Sequence, residues 1–148
     1  MAASSEANGN VDWDEAPLQR WLGTITKSGT LATYRSAFRH YVEFTGLSAN
    51  QLLDEALEDS QRDAREKRDI VLKRIIDFYS WLRNDYERKS RGKGEHRTIG
   101  KGVSSNLATT YVNAVRSFYS TFGIIIKMKG RNRLPKPPAR NPEAQESK

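Results

Sequence analysis

Apolar residues recur three or four positions apart in several separate stretches of this chain, and most of these stretches carry a start or stop signal at their ends. That spacing places side chains along one side of an α-helix, so it restricts the chain to helical packing. In TLATYRSAFRHYVEFTG, Leu31, Tyr34, Phe38, Tyr41, Val42 and Thr45 share one stripe, Thr30 is placed to cap the start and Gly46 to end it. Ser48 with Gln51 forms a capping-box pair ahead of QLLDEALED. Val71, Ile75, Phe78 and Leu82 make a further stripe that ends near Asn84 or Tyr86. The pattern leaves open whether residues 50 to 86 are one bent helix or two. Ser104 or Ser105 caps a last long helix, with Leu107, Tyr111, Ala114, Val115, Phe118 and Phe122 as its buried side and Gly123 as its stop. A short first helix is expected after Asp14 and Glu15, with Pro17 in its first turn and Leu18, Trp21, Leu22 and Ile25 at helical spacing. Residues 89 to 103 read as a glycine-rich basic loop, and IIIKMK as extended chain. The expectation is an all-α, compact four- to five-helix bundle.

The two ends differ from this middle. Residues 1 to 13 are small and polar and read as a disordered leader. Residues 14 to 129 form the expected folded domain, and 130 to 148 a proline-rich basic linker. The longest wholly aliphatic run, Ile124–Ile126, is far too short to span a bilayer. The absence of cysteine excludes a disulfide scaffold, a thiol nucleophile and a thiolate zinc site. With His40 and His96 as the only histidines, an all-histidine metal site is not expected, and no cofactor is implied.

Charge points to a partner. The net charge is +7, which favours nucleic acid over a membrane surface, since no long apolar stripe is backed by a lysine-rich face. Its distribution is uneven. Residues 17 to 42 carry Arg20, Lys27, Arg35 and Arg39 and no acid, whereas residues 54 to 69 hold seven acids against four bases. From His96 to Pro142 there is no acid and nine Lys and Arg. A surface that lies along phosphates gains from shedding carboxylates, because each would repel the backbone. Glu58/Arg62, Asp63/Lys67 and Asp69/Lys73 are i,i+4 pairs suited to a solvated helical surface.

Several features resemble sites and are set aside. Gly94 to Gly102 fails as a phosphate-binding loop on its spacing, on Gly102 where a hydroxyl is needed, and on the lack of a preceding strand. The helical spacing of Tyr34, Phe38, Tyr41, Phe118, Tyr119 and Phe122 favours core packing over a base-stacking platform. His40 reads as a solvated or phosphate-proximal residue, and His96 has no evident acid–base partner. The carboxylate pairs Asp54/Glu58 and Asp59/Asp63 read as surface.

The last helix has a second side built of Asn106, Thr109, Asn113, Arg116, Ser117 and Ser120. It contains neither acid nor lysine, only short hydrogen-bonding groups and one Arg. Such groups read base edges or hold phosphates in a major groove; close packing on another helix is the alternative. On the second helix Arg35 and Arg39 flank the apolar stripe, and Lys27, Ser28 and Thr30 stand at its start, where free backbone N–H groups favour a phosphate.

TLATYRSAFRHYVEFTG, VLKRIIDFYSWL and SSNLATTYVNAVRSFYSTFGI, in that order, resemble the core-binding domain of tyrosine recombinases (phage integrase family), and the tail KMKGRNRLPKPP is similar to that of archaeal integrases. The resemblance covers residues 16 to 138. It implies a SAM-like helical bundle that binds double-stranded DNA at a recombination site, with its second and last helices, here residues 30 to 45 and 104 to 122, against the major groove. Together with the charge and helical-face reading it gives as candidate DNA contacts Lys27, Ser28, Thr30, Arg35, Arg39, Lys101, Ser104, Ser105, Asn106, Thr109, Asn113 and Arg116. It further implies a prokaryotic, cytoplasmic, DNA-associated protein, partnered by the catalytic domain of the same recombinase and self-associating on DNA. The family's chemistry needs a His-x-x-Arg motif and a nucleophilic Tyr, but Glu43 follows His40 and Ile99 follows His96 at the required distance. No catalysis is expected of this chain alone. A stand-alone architectural DNA-binding protein and a protein-interaction bundle are the alternatives.

Overall fold

Each helix starts and stops where a local backbone requirement is met. The computed structural model describes residues 11–63, 65, 69–89 and 98–127. Helices α1 (Ala16–Leu22), α2 (Ser28–Thr45), α3 (Ala49–Ser60) and α4 (Ile70–Asn84) are followed by strands β1 (Glu87–Lys89) and β2 (Thr98–Lys101) and by α5 (Ser105–Thr121). Among the described residues the fold is all-α apart from this antiparallel strand pair.

Gly46 ends α2 in the left-handed region, with φ 73°, and its N–H donates to Val42 O at 2.7 Å. The capping box at α3 forms as expected, Ser48 Oγ accepting from Gln51 N and Gln51 Oε1 from Ser48 N. Glu15 adds a second cap from outside: its carboxylate accepts from Ala49 N and Asn50 Nδ2, placing negative charge at the positive end of α3. Residues 50 to 86 are therefore not one helix. Two helices meet near Asp69, which takes φ 50° just before α4.

Four local expectations are corrected. Thr30 is not the cap of α2. The helix begins two residues earlier, with Lys27 at the N-cap position and no side-chain cap. Residues 89 to 103 are not wholly loop, because β1 and β2 occupy their ends; a short strand thus does precede Gly94, although the spacing argument against a phosphate loop stands. Leu107 is 39% exposed, and Ala108, Val112 and Tyr119 take the buried positions of α5 instead. Val11 and Trp13 pack against the core, so the packed part starts ahead of residue 14. Ile124–Lys127 form no regular element, and residues 1–10 and 128–148, with the whole of the expected linker, lie outside the described residues.

The core draws on every helix, through Leu18 and Trp21, Phe38 and Tyr41, Leu52, Ile75 and Phe78, and Val112, Phe118 and Tyr119. Trp21 is its hub. Its ring stacks on Tyr34 at 5.4 Å and meets Phe38 at 5.7 Å and Phe118 at 5.4 Å. Phe38 and Phe118, 4.9 Å apart, lock α2 onto α5. Aromatic pairs at such distances add about 0.5–1.5 kcal/mol each beyond the area they bury. The aromatic series is thus core, as its spacing predicts.

Candidate nucleic-acid interface

Packing α2 against α5 fixes which polar side chains remain outside. On α2, Lys27, Ser28, Arg35 and Arg39 are exposed and Thr30 is half-buried. The Arg35 guanidinium lies 5.7 Å from the ring centre of Trp13, a cation–π contact that holds the side chain without neutralising it. On α5, Asn106 and Asn113 are exposed and Ser105 and Thr109 half-buried. Ser104, not Ser105, is the N-cap, its Oγ accepting from Leu107 N at 3.1 Å. Lys101 is exposed at the end of β2, three residues ahead of that cap.

The polar side of α5 divides in two. Its first part, from Ser104 to Asn113, keeps its exposed side chains. Further on, Gly123, with φ 82°, turns the chain back, so that Ile124–Ile126 run beside Asn113, Arg116, Ser117 and Ser120 and enclose a groove of about 220 Å3. Arg116 is not a free reader: its Nη2 donates to Ile126 O at 2.9 Å. Ser117 serves the core by accepting from Trp21 Nε1 at 3.2 Å. For Ser117 the alternative of polar packing against another helix is therefore the correct one.

His40 is also corrected. It is half-buried rather than fully solvated, between Tyr86 and Tyr111, with ring centres 4.7 and 4.9 Å away. Its Nδ1 donates to Ser36 O at 2.7 Å, and Ser36 Oγ pairs with Tyr111 Oη at 2.7 Å. Burial and the nearby Arg39 charge hold its pKa below the ordinary histidine value, despite the favourable bond to Ser36. Near neutral pH it contributes packing and a hydrogen bond rather than charge.

The opposite side of the bundle pairs its charges. Arg74 forks onto both carboxylate oxygens of Glu55. Asp59, expected at the surface, is 7% exposed and bonds Arg62 Nη1 at 3.1 Å and Ile70 N at 3.3 Å, so it ties α3 to the start of α4. Arg62 thus pairs with Asp59 rather than Glu58. The expected pair Asp63/Lys67 and the residue His96 fall partly or wholly outside the described residues.

Sequence reasoning missed two cations. Arg83, in the last turn of α4, and Arg88, on β1, line a groove at the start of α5. That both residues are basic was legible; that β1 brings Arg88 beside Ser104 was not. Among the described residues no group of His, Asp and Glu is arranged to hold a metal, and no helix is long and apolar enough to cross a membrane. The chain matches no protein-family model, and comparison with curated proteins and with solved structures returned no match.

Proposed function

We propose that this chain binds double-stranded DNA through the exposed polar sides of α2 and of the first part of α5, as the core-binding domain of a tyrosine-type site-specific recombinase. The observation that carries the reading is the distribution of charge: Lys27, Arg35, Arg39 and Lys101 stand exposed, as do Asn106 and Asn113, while Arg62 and Arg74 on the α3–α4 side are bonded to Asp59 and Glu55. Exposed cations position a duplex by its phosphates, and amides on a helix face distinguish adenine in the major groove. The recombinase assignment rests on the sequence resemblance. Strand exchange belongs, in that family, to the catalytic domain, and no His-x-x-Arg occurs here.

Titration of a duplex at several salt concentrations tests the binding. With about 4–6 phosphates neutralised, log K falls against log salt with a slope of roughly −4 to −5. A salt-independent affinity, or a preference for RNA, sinks the proposal. A covalent adduct between the chain and a nicked duplex on a denaturing gel would sink the division of labour between domains.

A further inference from the structure

The β1–β2 hairpin is held against the end of α4 by backbone geometry. Gly102 N donates to Tyr86 O at 2.7 Å, Val103 N to Leu82 O at 2.8 Å, and Arg83 Nη1 to Val103 O at 2.8 Å. Gly102 has φ 83°, and a Cβ there would collide with the Arg83 carbonyl, so only glycine lets the chain close this tightly. Arg88 stands opposite Gly100 in the ladder, and its guanidinium lies across that glycine, in space any larger residue would fill. The result is an open groove of about 410 Å3 walled by Arg83, Arg88, Lys101, Gly102, Val103, Ser104 and Leu107. Among the described residues no carboxylate lines it. Glu87, opposite Lys101 in the ladder, is not one of the wall residues.

The geometry points to this groove as a seat for one phosphodiester of the DNA backbone, held by the guanidinium groups of Arg83 and Arg88 and by the first backbone N–H groups of α5. The assignment rests on the duplex-binding reading above and adds the hairpin to it. Two planar guanidinium groups suit a tetrahedral oxyanion, which accepts their N–H donors in pairs. Ser104 satisfies Leu107 N with its hydroxyl and Ala108 N with its carbonyl, and the N–H groups of Ser105 and Asn106 precede the first helical bond. They stand at the positive end of a 17-residue helix whose cap residue, Ser104, lines the groove. A phosphate there fixes how far along the groove α5 presents Asn106 and Asn113.

The test uses inorganic phosphate and duplex DNA in parallel. Phosphate titrated into the isotope-labelled chain is expected to shift the amide resonances of Gly102, Ser105 and Asn106. Arg88→Gln is expected to abolish those shifts, and Arg88→Lys to weaken them, while Lys73→Gln on α4 leaves them unchanged. In the duplex arm Arg88→Gln is expected to lower the salt slope by about one unit. Wild-type amides that do not respond to phosphate overturn the seat. A duplex slope unchanged in Arg88→Gln overturns the backbone assignment and leaves the duplex reading standing. Phosphate shifts in a chain that binds no duplex overturn the duplex reading, and with it the diester as ligand.

Discussion

The α2–α5 side and the α3–α4 side are built from the same kinds of helix, yet they treat charge in opposite ways. On α3 and α4, Glu55 holds Arg74 and Asp59 holds Arg62, and both bonds tie helix ends or neighbouring helices together. On α2, Arg35 rests on an aromatic ring and Lys27 on the open first turn. Carboxylates on one side do structural work. The cations on the other are left available to a partner, and mutation should separate the two behaviours.

The largest expected contrast comes from charge reversal. Arg35→Glu with Arg39→Glu should remove duplex binding almost entirely and lower the salt slope by roughly one unit per lost phosphate contact. Arg65→Glu with Lys73→Glu, exposed cations of the other side, should change it little. These are better controls than Arg62, which bonds a buried carboxylate, or Lys67, which lies outside the described residues. Equal losses in both pairs would show that net charge alone drives binding, and the contrast between the sides would fail.

A second contrast separates reading from holding. Asn113→Ala should cost about 1–3 kcal/mol of binding on the correct site and nothing on unrelated duplex. Asp59→Ala should do the reverse, with about 0.5–2 kcal/mol lost from stability in a urea titration and affinity unchanged, since it uncaps α4 rather than touching DNA. If Asp59→Ala weakened binding as much as Asn113→Ala, the two sides would not be independent.

The smallest effect is a pH dependence. The folded chain holds the His40 pKa below its usual value, so on acidification the unfolded chain takes up the proton first. Stability contributed by the neutral ring is complete above about pH 6.5 and is lost as pH falls toward the folded pKa. The urea midpoint should fall between pH 7.5 and 5.5, and His40→Gln should flatten that fall.

How much of this was legible depended on how local each signal was. Gly46 and the Ser48–Gln51 box act within a few residues, and both were readable. The helical stripes were readable because burial follows the 3.6-residue period. Glu15 capping α3, Asp59 capping α4 and Ser117 receiving Trp21 join residues distant in the chain or across a turn, and no spacing announces them. The hairpin escaped because its strands are short, charged and without alternation. His40 was misplaced because a helical wheel cannot show Tyr86 closing over it from beyond the end of α4.

The bond between the Tyr41 and Tyr119 hydroxyls, at 2.9 Å in the interior between α2 and α5, gives the molecule its own alkaline fuse. Burial pushes Tyr119 up to about 12 and Tyr41 well above its ordinary value. In the unfolded chain both phenols ionise near pH 10. Above that pH the unfolded state binds fewer protons than the folded one, so stability drains away as pH climbs toward 12. Phenolate absorbance from these two rings should therefore appear together with loss of helix, in one cooperative step. The joint between the two helices assigned to DNA would be read out optically, with no label added.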